Sequence, residues 1–307
     1  MRALRACGAA LALGGSTLIA QTGTGTFRAS DGTTIHFEQV GSGDTLVLLA
    51  GGPGFTPVSV KPVCDELART RRCVLLHQRG TGLSTAAADR PDAITLRRFV
   101  ADIDALRQAL ALERVTLVGH SWGGMLAMAY AAAHPDQTRA IVLIASGGPT
   151  LDYMSWYDKN AQARVNEQDK AIAAYWEGQR ASGADPVRVA AGLLAAGMSS
   201  TFHDRTKVRE LADSLGDRAF NSVVFDQMMQ DLRSTGYDLR APLRSFSRPV
   251  LIVQGRQDPI ATVETLRRTF PSARPVVELV ENAGHFLWLE QPLPLFRAVA
   301  SFLGKLR

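Results

Sequence analysis

Short apolar runs alternate with helical stretches through the first half of the chain. Strand patterning begins near Phe27, and the clearest strand-like segments are 34–40, 45–50, 74–77, 115–118 and 140–145. Between them, residues 96–112 place Phe99, Ile103 and Leu106 on one helix face, and residues 123–133 form an apolar helical stretch. Because parallel strands that are buried on both faces appear as continuous apolar runs, this pattern predicts an α/β fold. We expect a mostly parallel central sheet with helices on both faces.

The pattern changes after Pro149. The following ninety or so positions carry no strand-like run, but they contain helical stretches such as 186–196 and 219–232. Strand patterning then returns in two segments, 249–254 and 275–280. The simplest interpretation is a helical cap at 150–240, inserted into a core made of residues 27–149 and 241–307.

The first twenty residues resemble a secretory signal peptide. Arg2 and Arg5 precede a small apolar stretch, Cys7 to Ala20, that contains no charge. Cleavage after Ala20 would lower the formal net charge from +5 to +3, because two arginines are removed. The apolar run is too short for a stable membrane span. We expect an exported protein, periplasmic or secreted, and a cytoplasmic protein is the alternative.

Composition and the distribution of charge argue against a nucleic-acid partner. The chain has 307 residues, of which 46% are hydrophobic and 21% are charged, as in ordinary globular proteins. Its basic residues are scattered and form no stripe interleaved with aromatic side chains, so we expect no nucleic-acid partner. The expected partner is a small-molecule or short-peptide substrate, and the oligomeric state stays open.

Two cysteines remain if the leader is removed. In an oxidising compartment, Cys64 and Cys73 could form one disulfide between a helix and the next strand. In a reducing compartment they would be two buried thiols. Their spacing matches no familiar metal site and no histidine accompanies them, so no metal is expected.

The strongest chemical signal is the segment Gly119-His120-Ser121-Trp122-Gly123. It has the pattern G-x-S-x-G, directly after a predicted strand and directly before a predicted helix. A sharp strand-to-helix turn exposes the central side chain, and small residues on both sides let the backbone close that turn. Ser121 is therefore the predicted nucleophile, placed at a helix N-terminus that favours developing negative charge.

A serine hydroxyl needs a base, and the base needs a partner that orients it. Asp258 follows the strand-like run 250–254 and a glycine turn, which places it at the same sheet edge as Ser121. His285 lies on a loop after the last predicted strand. In folds that carry this strand–turn–helix motif, the nucleophile, the acid and the base follow one another in that order along the chain. We therefore predict Asp258 as the orienting acid and His285 as the base.

Acyl transfer also needs donors for an oxyanion. The backbone N–H of Trp122, directly after the serine, is the first candidate. The second is the N–H of Gly52, in the glycine-rich turn that follows the strand-like run 45–50. His120 flanks the serine, but we expect its ring to point away from the reacting atom.

Three motifs resemble the proline iminopeptidase branch of the α/β-hydrolase superfamily: Gly51-Gly52-Pro53-Gly54, Gln78-Arg79-Gly80-Thr81-Gly82-Leu83-Ser84 and Gly119-His120-Ser121-Trp122-Gly123-Gly124. The resemblance covers the core on both sides of the insertion. It implies an α/β-hydrolase fold and a serine aminopeptidase that releases an N-terminal residue, often proline, without metal or cofactor. It also implies a helical cap whose acidic groups hold the free amine of the substrate.

The sequence departs from that branch in three places. Ala50 replaces the usual histidine before Gly-Gly-Pro-Gly, and His77 replaces the usual aspartate before Gln-Arg-Gly. The cap lacks the Glu-Asn-His-Tyr stretch, and only Trp176-Glu177-Gly178 looks familiar. Glu177 and Glu210 are the candidate amine ligands in the cap. The alternative for each is a solvated carboxylate on a helix face.

Two rival functions stay open at this point. A carboxylesterase or another small-molecule acyl hydrolase would use the same three catalytic residues and differ only in what the cap admits. A binding protein on a hydrolase scaffold would use none of them for chemistry. Epoxide hydrolases and dehalogenases of this fold carry an aspartate where Ser121 stands, which argues against both.

Overall fold

The computed structural model describes residues 22–84, 90–215 and 219–306. One eight-stranded sheet runs through it, in the order β1-β2-β4-β3-β5-β6-β7-β8. The strands are β1 (Gly23–Arg28), β2 (Thr34–Val40), β3 (Thr45–Leu49), β4 (Arg72–Leu76), β5 (Val115–His120), β6 (Thr138–Ile144), β7 (Val250–Gly255) and β8 (Val276–Val280). Only the pairings of β2 with β1 and with β4 are antiparallel, and the others are parallel. The predicted α/β fold is confirmed, whereas the predicted signal peptide 1–20 lies outside the described residues.

Helices cover both faces of this sheet. Their bounds are α1 (Lys61–Leu67), α2 (Leu96–Ala109), α3 (Trp122–Ala133), α4 (Tyr153–Arg164), α5 (Glu167–Ala181), α6 (Pro186–Gly197), α7 (Val208–Leu215), α8 (Ser222–Thr235), α9 (Arg240–Leu243), α10 (Val263–Thr269), α11 (Leu287–Glu290) and α12 (Pro292–Leu303). One apolar core packs α2 and α3 against the sheet, and a second core packs α1 and α12 against it. Central strands are therefore buried on both faces, which explains their continuous apolar sequence. No helix in the described ranges is long and apolar enough to cross a bilayer.

The segment between β6 and β7 contains the helices α4 to α9. Its two ends meet, because Thr150 and Asp238 pair as an isolated antiparallel bridge. Helix α8 begins three residues later than the stretch 219–232 indicates, because the Asn221 side chain accepts a hydrogen bond from Val223 N at 3.0 Å and caps the helix. Phe220 instead pairs with Phe55 of the core.

The start of the first strand differs from the sequence prediction. Strand β1 begins at Gly23, before the expected start at Phe27, because the alternating Gly and Thr residues there lie in a half-exposed antiparallel edge strand. Cys64 on α1 and Cys73 on β4 are both buried, and no bond joins them in the structure. Burial raises the pKa of the Cys73 thiol, and the neighbouring Cys64 adds to the effect.

A buried ion network anchors the turn after β4. The Arg79 side chain is 1% exposed and donates to both oxygens of Asp102, at 2.7 and 2.6 Å, and to Asp31 Oδ2 at 2.9 Å. Burial raises the pKa of Asp102. Burial opposes the charge of Asp31 as well, but hydrogen bonds from Arg79 and Thr33 hold the pKa of Asp31 below its usual range. Arg79 thus fixes the backbone on which Gln78 sits.

Replacing Asp31 by asparagine is expected to give a pH-dependent loss of stability. The folded-state pKa of Asp31 lies below the unfolded value of about 3.9, so its contribution is present above about pH 4 and is lost as the pH falls further. We expect Asp31→Asn to lower the free energy of unfolding by about 1–3 kcal/mol at pH 7. Urea unfolding between pH 7 and pH 3 should show this difference shrinking below pH 4.

The exposed pair of Lys61 and Asp65 provides the control for that measurement. Its carboxylate is 51% exposed, so Asp65→Asn is expected to change the free energy of unfolding by less than about 0.5 kcal/mol. A difference between wild type and Asp31→Asn that stays constant from pH 6 to pH 3 would contradict the assigned role of Asp31.

Candidate active site

The predicted nucleophile lies in a strained turn between β5 and α3. Ser121 has φ 55° and ψ −117°, a conformation that non-glycine residues rarely adopt. A Cβ atom on Gly119 would lie 2.2 Å from Gly123 O, and one on Gly123 would lie 2.1 Å from Leu49 O. The glycines of G-x-S-x-G are therefore required by close backbone contacts on both sides of the serine.

Asp258 and His285 meet at the same edge of the sheet. His285 Nδ1 lies 2.9 Å from Asp258 Oδ2, and the Asp258 side chain is fully buried. Asp258 also accepts hydrogen bonds from Gln254 Nε2 at 2.6 Å and from Ile260 N at 3.0 Å. Three donors therefore hold the carboxylate, and the carboxylate in turn orients the imidazole with Nδ1 towards it.

Ser121 and His285 line one cavity. With Nδ1 facing Asp258, Nε2 is the ring nitrogen of His285 left to receive a proton. Among the residues that the structure describes, Ser121 Oγ makes no hydrogen bond to this ring. Such bonds are often long or poorly aligned in unliganded active sites and tighten when substrate binds.

The loop that carries His285 is held by residues that lie between β6 and β7. His285 N donates to Thr201 O at 2.9 Å, and Gly284 N donates to Glu290 Oε2 at 2.7 Å. The other oxygen of Glu290 accepts from His203 N and Asp204 N at 2.7 and 2.8 Å. The position of the imidazole therefore depends on contacts with residues between β6 and β7.

His120 supports the same loop. Its ring centroid lies 4.6 Å from that of His285, and its Nε2 lies 3.1 Å from His285 O. A carbonyl oxygen only accepts, so Nε2 carries the proton. Burial, together with the nearby His285, holds the pKa of His120 well below its usual value, and the ring is neutral. His120 lines the cavity but uses its N–H on the backbone.

The two predicted oxyanion donors line the cavity beside Ser121. Trp122 is the first residue of α3, and N–H groups in the first turn of a helix have no partner within the helix. Gly52 has φ 112°, and a Cβ atom there would lie 2.5 Å from Gly54 N. Only glycine fits this turn, which lets the backbone of the loop approach a bound carbonyl.

The cavity itself has a volume of about 310 Å³ and a mainly apolar wall. Its aromatic and aliphatic lining comes from the loop after β3, from α4 and α6, and from the region of α8: Phe55, Tyr153, Met154, Tyr157, Leu194, Met198, Phe220, Phe225 and Met229. Burial raises the pKa of Tyr157 to about 12, with Asp258 and Asp158 contributing. Of the described lining residues, Asp158 is the single carboxylate, and it is exposed at the mouth.

The structure does not bring Glu177 and Glu210 to this cavity. Glu177 forms an ion pair with Arg180, and its side chain is 48% exposed. Glu210 lies 2.6 Å from Lys207, and its side chain is 52% exposed. Both are solvated carboxylates in pairs spaced three residues apart, so the prediction that they hold a substrate amine is corrected.

Several residues of the site were missed by sequence analysis. Gln254 orients Asp258, Glu290 holds the His285 loop, Asp158 lines the cavity mouth, and Gln78 contacts both candidate oxyanion segments. Gln78 begins the motif that runs from Gln78 to Ser84, so the sequence did contain a signal that this residue belongs to the site. For Gln254 the signal was weaker, because the sequence shows only that it lies at a strand end, four residues before Asp258.

Several known hydrolases and peptidases are similar to this chain in sequence. A proline iminopeptidase from Lactobacillus helveticus (strain DPC 4571) is 42% identical over 123 residues, which is 39% of this chain and 40% of the relative. The chain therefore matches about two fifths of that relative's length. A 2-hydroxy-6-oxo-2,4-heptadienoate hydrolase from Pseudomonas putida is 28% identical over 286 residues, covering 89% of this chain and 94% of the relative.

Fold similarity extends over most of the chain. The structure of a proline iminopeptidase from Mycobacterium smegmatis has a TM-score of 0.68 at 21% identity, covering 92% of this chain and 98% of that one. At this identity the likeness concerns the fold. The family profile described as the alpha/beta hydrolase fold matches residues 44–292. The strained serine turn, the parallel sheet and this match lead to one conclusion: the chain belongs to the α/β hydrolase family.

Proposed function

We propose that this protein is a serine hydrolase that forms an acyl-enzyme on Ser121. The observation that carries the proposal is the strained turn at Ser121, which opens into the same cavity as His285, whose Nδ1 is held by Asp258 at 2.9 Å. Backbone strain of this kind costs about 1–3 kcal/mol, and a role outside catalysis would leave that cost unexplained.

The chemistry follows from that geometry. His285 Nε2 takes the proton from Ser121 Oγ as Oγ bonds to the substrate carbonyl carbon, and Gly52 N–H and Trp122 N–H stabilise the oxyanion. The tetrahedral intermediate collapses, the leaving group departs with the proton from His285, and an acyl-enzyme remains. Water then attacks the acyl carbon, and His285 takes its proton and returns it to Ser121 Oγ.

The walls of the cavity favour one class of substrate. A volume of about 310 Å³ with aromatic and methionine side chains suits a small acyl group that is largely apolar. We propose that residues 150–240 act as the cap that selects this group, since α4 and α6 supply part of the lining. Hydrolysis of short, apolar acyl esters is the function that this geometry supports best.

Release of an N-terminal residue, as in a proline iminopeptidase, is the second candidate. It is supported by the identity to the Lactobacillus helveticus enzyme and by Asp158, which could pair with a substrate ammonium at the mouth of the cavity. No ion pair to Asp158 is formed within residues 22–84, 90–215 and 219–306, so its carboxylate is available.

A substrate panel with one variant separates the two candidates. If the protein is an aminopeptidase, Asp158→Asn should lower kcat/KM about 10- to 100-fold on prolyl and alanyl arylamides, because a charged hydrogen bond contributes about 1.5–3 kcal/mol. Short acyl esters without an amine should be unaffected. Glu177→Gln and Glu210→Gln are matched controls that should leave kcat/KM unchanged on both kinds of substrate. Ester turnover with no arylamide turnover would exclude the peptidase.

A further inference from the structure

Gln78 links the two backbone segments that carry the proposed oxyanion donors. Its side chain is buried in the turn after β4, where Nε2 donates to Ala50 O at 2.9 Å and Oε1 accepts from Trp122 Nε1 at 2.9 Å. Ala50 lies two residues before Gly52, and Trp122 carries the other donor on its own backbone. One amide group therefore spans the gap between the two sides of the oxyanion hole.

The chemistry of the two partners requires an amide here. A backbone carbonyl only accepts and an indole N–H only donates, so the group between them must donate on one side and accept on the other. A glutamate could accept from Trp122 but would face Ala50 O with a second acceptor. A methionine fills a similar volume and provides neither bond.

The backbone of Gln78 is itself immobilised. Thr81 Oγ1 donates to Gln78 O at 2.7 Å, and Gly80 N donates to Ser84 O at 2.8 Å within the same turn. Arg79, the next residue, is anchored on Asp102 and Asp31. The amide group therefore projects from a rigid support, which allows it to impose a distance on the loop at Ala50.

We propose that Gln78 is a positioning residue that sets the separation between the Gly52 and Trp122 N–H groups. The inference rests on the proposed acyl-enzyme function. Oxyanion donors act only when they lie about 2.7–3.1 Å from the oxygen of the transition state. A displacement of about 1 Å is able to cost about 100-fold in rate. Loss of Gln78 should therefore weaken transition-state stabilisation more than ground-state binding.

The first test separates kcat from KM. With the best ester substrate, Gln78→Met and Gln78→Glu should lower kcat about 10- to 100-fold and change KM less than about threefold. A trifluoromethyl ketone analogue of the acyl group is attacked by Ser121 Oγ at its carbonyl carbon and becomes a hemiketal oxyanion. Its affinity for the two variants should fall by a similar factor. Gln108→Met, at an exposed position on α2, is the matched control.

A purely structural role gives a different result. It would lower the melting temperature and leave kcat, KM and ketone affinity of the folded fraction unchanged, which would overturn the proposal. A rise in KM at constant kcat would overturn it as well. Retained labelling of Ser121 in Gln78→Met by a fluorophosphonate shows that the nucleophile is intact.

A second measurement does not depend on activity. Trp122→Phe removes the indole donor, keeps the backbone N–H, and identifies the Trp122 Nε1–H signal in NMR spectra. Hydrogen exchange at this group should be slow in wild type and in Gln78→Glu, and faster in Gln78→Met.

A double-mutant experiment tests the same contact through activity. The loss of kcat that Gln78→Met causes should be smaller in the Trp122→Phe background than in wild type. If wild type is neither labelled nor active, the proposed function fails, whereas unchanged exchange in Gln78→Met refutes the bridge itself.

Discussion

Ser121→Ala is expected to lower kcat on the best substrate by about 10⁶-fold. The hydroxyl is the group that forms the acyl-enzyme in the proposed mechanism, and removal of a serine nucleophile costs about this much in enzymes with the same three residues. The variant should bind substrate with little change, because the apolar cavity wall is untouched. Steady-state kinetics with active-site titration of the wild type measure the effect.

Folding and labelling provide the controls for Ser121→Ala. Alanine is about as unfavourable as serine at φ 55°, so the melting temperature should change little. Ser234→Ala, on the exposed face of α8, should keep full activity and full labelling by a fluorophosphonate. If Ser121→Ala retains more than a hundredth of wild-type kcat, the nucleophile is wrongly assigned. Absence of labelling in wild type would favour a binding protein on a hydrolase scaffold.

Asp258→Asn has the second largest expected effect, a loss of about 10⁴-fold in kcat. The carboxylate accepts a hydrogen bond from the protonated Nδ1 of His285. An asparagine that turns its amide N–H groups towards that nitrogen stabilises the wrong tautomer. Nε2 then carries the proton and can no longer take one from Ser121 Oγ. The measurement is kcat at fixed pH, together with a crystal structure that shows the imidazole in place.

Asp238→Asn is the matched comparison for Asp258→Asn. Asp238 does not line the cavity, and it pairs with Arg240 at 2.6 Å on the surface. Its replacement should leave kcat within about twofold of wild type. An equal loss of activity in both variants would mean that the measured effect of Asp258 comes from destabilised folding, and the orienting role would be refuted.

Local sequence determined most of the sheet and the serine turn. The apolar runs at 115–118 and 249–254 predicted strands that the structure contains as β5 and β7, because burial on both faces leaves little choice of side chain. G-x-S-x-G predicted the strained turn, because the glycines are required within a few residues of Ser121. The order of Asp258 and His285 predicted that they meet, and the structure pairs them.

Only the tertiary structure decided which polar groups surround these residues. Gln78 reaches Trp122 across 44 positions of sequence, and His120 reaches His285 across 165, so no local pattern records either contact. The predicted amine ligands Glu177 and Glu210 failed for the same reason. Their helices, α5 and α7, lie outside the two stretches that spacing predicted, 186–196 and 219–232. The helix face that meets the cavity is set by how residues between β6 and β7 pack on the sheet, and this packing joins residues that are distant in the chain.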